Sequence, residues 1–332
     1  MRLHDIAFYA AIFFLIGVFL ASSFLDSARA VYAVAGATVL APVLFYFWRG
    51  AILATLSVAV GLGGFYMLLY DFTATKDIMP FGVVTTISGI VNRAAPTSAG
   101  FRVDVGSARL TLPRYPEYKY GDKISATGVL AEPPAEMRLR LLKDGITGTM
   151  LRPEISLIES GLGNPIAAYL YGIKERVEEI FRLVLPRQEA LFLSGIVLGE
   201  TSEFSREFRD ELSRSCTSHL VALSGYNISI IADNLAWLLL FLFSRRATFI
   251  LTIFAILLFV VMTGAEASVV RAALMGGLIL LSGEVGRVYS FRNAIALTAF
   301  FMVMFNPYVL LFDLGFQLSF MALLGIVYLR PL

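Results

Sequence analysis

The sequence predicts a polytopic α-helical membrane protein with an inserted small all-β domain. Three observations predict it. The chain is 58% hydrophobic and only 16% charged over 332 residues, too apolar for an ordinary soluble protein of that length. Its apolar residues gather into runs near the about 20 residues that a helix needs to cross a bilayer. One interval, 71–160, breaks the pattern with frequent charges and short alternating segments. The net charge of +2 is too small to argue for any partner. A single cysteine, Cys216, excludes an intrachain disulfide. With only His4 and His219 available, a multi-histidine metal centre is excluded. No cofactor is expected.

Residues 1–70 hold three apolar runs, Ile6 to Leu25, Ala30 to Trp48 and Gly50 to Tyr70. The first alone reads as a signal peptide, but two more follow at once, so three retained transmembrane helices are expected. Pro42 in the second run is tolerable where neighbouring helices satisfy the freed carbonyl.

Residues 71–160 read as short strands between Gly, Pro and Asn signals: Phe81 to Asn92, Phe101 to Val105, Ala108 to Leu112, Ile124 to Leu130 and a last one over Thr149 to Ile158. An oligonucleotide/oligosaccharide-binding (OB) type barrel is the expected fold. Arg102, Arg109, Arg114, Lys119 and Lys123 lie here, with Tyr115, Tyr118 and Tyr120 among them. Cations mixed with aromatics are what a single-strand-binding surface uses. The alternative is an ordinary solvated surface, since Asp104, Glu117 and Asp122 are interspersed.

Residues 161–215 are expected to be amphipathic and short helices at the membrane surface. Ile166, Leu170, Ile173, Val177, Ile180 and Val184 recur at helical spacing, with Lys174, Glu175, Arg176, Glu178 and Glu179 filling the other face. Pro186 ends that helix, and a shorter one follows over Gln188 to Leu198. Gly199 to Thr201 breaks the chain, and Ser205 to Arg214 is charged and helical.

Residues 216–332 hold the remaining spans. The run from His219 to about Phe243 is expected to cross the membrane, yet its first turns carry His219, Ser224, Gly225 and Asn227. Polar groups in lipid need partners or a water-filled cavity. Apolar runs follow over Phe249 to Met262, Ala272 to Leu281, Ala294 to Phe305 and Leu314 to Leu329. With Arg2 in the cytoplasm, Arg49, Arg245, Arg246, Arg287, Arg292 and Arg330 all fall inside, which obeys the positive-inside rule. Arg29 and Arg271 are the exceptions. This orientation exports the β domain. It also brings His219, Ser224, Gly225, Asn227, Glu266, Arg271, Asp313, Gln317 and Ser319 to the outer side.

Two catalytic readings are weak. Ser224 as nucleophile with His219 as base places the pair five residues apart, off a shared helical face, with no Gly-x-Ser-x-Gly elbow. Cys216 and His219 have the spacing to touch one metal, but no further Cys or His ligand stands near them in the sequence. The bland alternative for Ser224, Gly225 and Asn227 is helix-to-helix hydrogen bonding and close packing. For Glu266 and Arg271, a surface ion pair or helix contact stands beside a charged vestibule.

The block Ser218-His219-Leu220-Val221-Ala222-Leu223-Ser224-Gly225-Tyr226-Asn227-Ile228 resembles the SHLLAISGLHI-type signature of the ComEC family of competence proteins. Ser268-Val269-Val270-Arg271-Ala272-Ala273, Asn306-Pro307 and Asp313-Leu314-Gly315-Phe316-Gln317-Leu318-Ser319-Phe320 resemble further signatures of that family in the same order. The resemblance implies a bacterial inner-membrane channel, without catalysis on this chain, that carries single-stranded DNA inward during natural transformation. Single-stranded DNA, the lipid bilayer and other competence proteins are the implied partners, and 216–332 would be a competence-type channel domain, incomplete at its carboxy terminus. Family members usually carry a second histidine where Asn227 stands, and a small residue, often glycine, where Cys216 stands. Many continue into further helices and a metallo-β-lactamase-like domain, so Leu332 reads as the end of a fragment or a truncated form. The alternative function is a membrane scaffold whose β domain binds a protein or glycan without transport.

Overall fold

The structure, a computed structural model, describes residues 3–23, 51–74, 81–97, 100–113, 115–221, 225–286 and 290–329. The expected span Ala30 to Trp48, with Pro42, lies outside them, as do Arg2, Arg29, Arg49, Arg114, Ser224, Arg287 and Arg330. In chain order the helices are α1 (Leu3–Ser22), α2 (Ala51–Ala74), α3 (Ala135–Lys143), α4 (Pro165–Val184), α5 (Arg187–Leu198) and α6 (Arg206–Arg214). They continue as α7 (Ser218–Val221), α8 (Gly225–Leu240), α9 (Arg245–Met262), α10 (Ala267–Val285), α11 (Phe291–Phe305), α12 (Val309–Phe312) and α13 (Leu314–Tyr328). The strands are β1 (Val84–Thr97), β2 (Gly100–Val105), β3 (Ala108–Leu112), β4 (Lys123–Ala131), β5 (Gly148–Leu151) and β6 (Glu154–Glu159). Four of the described helices contain a stretch long and apolar enough to cross a membrane: Asp5–Ser22, Leu56–Ala74, Arg245–Met262 and Ala267–Val285. Helix α8 has 16 residues and extends about 24 Å, short of the roughly 30 Å hydrocarbon core.

The chain divides into two compact units, Met1–Ile78 with Leu274–Leu332, and Met79–Ala273. In the first, α1 and α2 pack at backbone distance. A Cβ on Gly17 would stand 2.0 Å from the carbonyl oxygen of Val60, and one on Gly63 would stand 2.1 Å from that of Phe14. Only glycine permits such an approach, the usual way apolar helices gain contact area inside lipid, where hydrophobic burial gives no advantage. Phe14 also meets the Phe300 ring of α11 edge-on at 5.0 Å, and Arg292 pairs with Asp5 at 3.0 Å. Tyr308, fully buried, donates to the Asp71 carboxylate at the end of α2 at 2.5 Å, and Tyr66 donates to the carbonyl of Met304 at 2.7 Å.

The second unit begins with a closed ring of strands. The first half of β1 pairs with β4 and its second half with β2, and the register slips between Val91 and Arg93 where the strand passes from one partner to the other. Strand β3 pairs with β2 antiparallel and with β5 parallel, β5 pairs with β4, and β6 adds to the outer edge of β4. Alternation along these strands sends Val103, Val105, Leu110, Ile124 and Met150 into one buried core. Two expectations need correction. The last strand, expected over Thr149 to Ile158, is two strands, because Arg152 takes a left-handed φ of 49° and Pro153 follows. Between β4 and β5 the chain forms α3, which the sequence reading missed. Its signals are Glu136 in the first turn and Arg140 and Lys143 in the last, which suit the helix dipole.

Helix α4 starts where Asn164 accepts hydrogen bonds from the amides of Ile166 and Ala167, with Pro165 at the first helical position. It packs on α5 and α9. Its polar face is not fully solvated, and its apolar face is not fully covered. Lys174 and Glu178 keep only 18% and 14% of their side chains exposed, whereas Tyr169, Ile180, Leu183 and Val184 are exposed on a single stripe.

Candidate channel site

The approach to the motif is set by α6. Ser205 caps its start by accepting from the amide of Phe208. Its end closes with the Thr217 amide donating to Leu212 and the Cys216 amide to Ser213. These two bonds define a Schellman ending, whose left-handed position is usually glycine. Cys216 occupies it at a φ of 55°. Cys216→Gly is therefore expected to stabilise the chain by about 1 kcal/mol, measured by thermal unfolding in detergent.

The segment Ser218–Val221 is then seated against α5. A Cβ on Gly195 would come within 2.3 Å of the Val221 side chain, and Val221 shares a buried cluster with Phe204 and Leu212. His219 lies in α7 and Gly225 opens α8, while Ser224 falls outside the described residues. Asn227 donates its side-chain amide to the carbonyl of Ile196 at 2.9 Å. That carbonyl belongs to the last turn of α5, where intrahelical partners run out. Asn227 thus acts as a cap holding α8 to α5, a role that needs a donor and no titration. Asn227→His is expected to keep this link. Asn227→Leu leaves the carbonyl unpaired and is expected to cost about 1–3 kcal/mol, read by thermal unfolding of the two variants side by side.

Helix α9 ends in a turn in which Gly264 and Ala265 are both left-handed, at φ 80° and 54°. Glu266 follows it, exposed, and its carbonyl accepts from the amide of Val270. Arg271 lies half-buried in the first turns of α10. In the other unit, Asp313 caps α13 by accepting from the Phe316 amide at 2.9 Å. Gln317 donates to the carbonyl of Leu311 at 2.7 Å. Both are hydrogen-bonding devices that finish one helix and start the next. Ser319 is half-buried on α13.

Of the five cations expected on the β domain, Arg114 lies outside the described residues, and the other four differ in their surroundings. Arg102 is exposed on β2 and faces Ala95 and Thr111 across the strands, while Lys123 on β4 faces Ile90 and Glu159. Arg109 binds Asp104 with two nitrogens, at 2.7 and 2.9 Å, and Asp144 at 3.1 Å. Burial works against its charge, but the two aspartates outweigh it and raise its pKa. Lys119 pairs with Glu175 at 2.7 Å. Of the three tyrosines, Tyr118 is in the barrel core and Tyr120 packs on Tyr171, which leaves Tyr115 as the exposed one.

Sequence reasoning missed a charge cluster beside the motif. Lys174 reaches Glu200 at 2.6 Å and Arg182 reaches Glu203 at 2.8 Å. Glu200 also accepts from the Ser202 hydroxyl and amide. Burial would raise the Glu200 pKa, but Lys174 and Ser202 outweigh it and hold it below the usual carboxylate value. Glu178 behaves oppositely: burial, opposed by Lys174 and Arg182, pushes it up to about 7. The legible signal was the four-residue spacing of Lys174, Glu178 and Arg182, one face of a helix.

The model of the competence protein family matches residues 196–332. This segment is similar to competence proteins. It opens in the last turns of α5 and takes in the charge-cluster residues Glu200 and Glu203, the Cys216 turn, the Asn227 cap and helices α9 to α13. ComE operon protein 3 of Bacillus subtilis (strain 168) is 30% identical over 149 residues, which cover 45% of this chain and 19% of that protein. The chain therefore spans about a fifth of that relative's length. No solved structure matches the chain.

Proposed function

We propose that the chain forms part of an inner-membrane channel that admits single-stranded DNA to the cytoplasm during natural transformation. The observation that carries this reading is the competence-family match over residues 196–332. The four apolar helices support a multi-pass membrane protein. The strand ring, with its parallel β3–β5 pair and a long first strand shared between β2 and β4, supports an OB-like barrel. The positive-inside pattern supports an extracytoplasmic position for it. On this reading α4 lies in the membrane interface, its exposed apolar stripe against lipid. His219, Ser224, Gly225, Asn227, Glu266, Arg271, Asp313, Gln317 and Ser319 shape or line the route, with Arg271 as the cation nearest to transiting phosphates.

Deleting the gene in a competent host, then restoring it, tests the reading. Transformation frequency is expected to collapse on deletion and recover on restoration. Unchanged frequency on deletion rejects it.

A second reading has its own support, a β domain that binds a protein or glycan. Arg109, Lys119, Tyr118 and Tyr120 already have partners within the chain, which reduces the cationic and stacking surface open to DNA. Fluorescence anisotropy of a labelled oligonucleotide with the detergent-solubilised chain separates the two. Weak binding that weakens further with salt favours DNA. No binding at low salt favours the other ligand classes.

A further inference from the structure

Every charged group around Glu178 has a closer partner elsewhere. Lys174 is 2.6 Å from Glu200 and 3.9 Å from Glu178. Arg182 is 2.8 Å from Glu203 and 3.9 Å from Glu178. The two longer contacts exceed hydrogen-bond range. One oxygen of Glu178, Oε1, is buried with no hydrogen-bond partner among the described residues. The charges balance without it, two cations against Glu200 and Glu203. An ionised Glu178 therefore adds a third negative charge against two cations in a partly buried cluster, which is unfavourable. A neutral Glu178 adds none.

The groups facing Glu178 come from two places. Lys174 and Arg182 are on its own helix, and Glu200 and Glu203 are on the segment 199–205. Arg209 of α6 holds that segment's backbone by donating to the carbonyls of Thr201 and Ser202. The charges of α5, Arg187 and Glu189, lie in its first turn, and those of α9, Arg245 and Arg246, at its amino-terminal end.

We propose that Glu178 is a proton-operated latch between α4 and the segment 199–205. Neutral, it leaves Lys174 and Arg182 to close that segment onto α4. Ionised, it competes with Glu200 and Glu203 for the same two cations and loosens the closure. The movement has a route to the motif, because Phe204 at the end of the segment shares a buried cluster with Leu212 and Val221. The latch rests on these contacts alone and stands whether or not the chain conducts DNA.

The test is a spin-label distance measurement on the full chain in lipid nanodiscs. Labels go on Glu179→Cys and Glu207→Cys, both exposed, in a Cys216→Gly background. Between pH 5.5 and pH 8.5 the distance distribution is expected to gain a longer component, with its midpoint near the Glu178 value of about 7. Glu178→Gln is expected to hold the short distance at both pH values, and Glu178→Met provides the same reading if the glutamine variant fails to fold. A distribution that does not change with pH overturns the latch, as does an equal pH response in the Glu178 variants.

Discussion

Gly17→Leu and Gly63→Leu are each expected to unseat α1 from α2. The carbonyl oxygens of Val60 and Phe14 occupy the space that a Cβ would take, at 2.0 and 2.1 Å. Backbone cannot rotate away as a side chain can, so the helices must separate. The contacts at risk extend past the hairpin, since Phe14 of α1 also packs on Phe300. Overpacking costs about 1–3 kcal/mol in forgiving sites, and each substitution here is expected to reach or exceed about 3 kcal/mol, because a whole helix pair must part. Gly276→Leu is the control, since nothing lies within 4 Å of its Cβ position. Thermal unfolding in detergent should separate the first two variants clearly from the third. Equal behaviour of all three would disprove the close crossing.

Glu178→Gln is expected to stabilise the chain, and to do so only away from acid. The folded chain raises the Glu178 pKa from 4.5 to about 7, so the unfolded chain releases its proton first as pH rises. Its contribution to stability is full below about pH 4.5, falls between there and about pH 7, and stays lost above. Glutamine cannot ionise and escapes that loss. The expected gain is on the order of 2–3 kcal/mol at pH 8 and close to nothing at pH 4. Glu200 works with the opposite sign. Its pKa is lowered in the folded chain, so its contribution is present above the ordinary carboxylate value and is lost as pH falls through the folded one. Unfolding curves at pH 4, 6 and 8 check both. A Glu178→Gln gain of equal size at all three would mean that packing, and not ionisation, is responsible.

The membrane class and the β interval were legible because they rest on composition and on periods of two and 3.6 residues, which single residues do not disturb. The ends of α4 and α5 were legible for a local reason: Asn164, Pro165, Pro186 and Gly199 act within their own turns. What stayed hidden depends on partners far apart in sequence. Nothing local to Arg109 announces that Asp144 closes over it, and nothing near Tyr118 says that its ring turns into the barrel. Glu178 looked like one of several charges on a solvated face until the segment after Gly199 came back over it. The candidate channel residues divide in the same way. Their polarity was visible in the sequence. That Asn227, Asp313 and Gln317 spend hydrogen bonds on helix ends is visible only in three dimensions.

The central claim is that DNA passes along the competence segment. The most direct measurement places a photo-crosslinking amino acid at position 224, in the midst of the Ser218–Ile228 block, and illuminates competent cells during uptake of labelled DNA. The prediction is a covalent adduct between this chain and single-stranded DNA that appears only while uptake is under way. Uptake at the normal rate with no adduct at 224, nor at the neighbouring positions 219 and 227, would contradict the account.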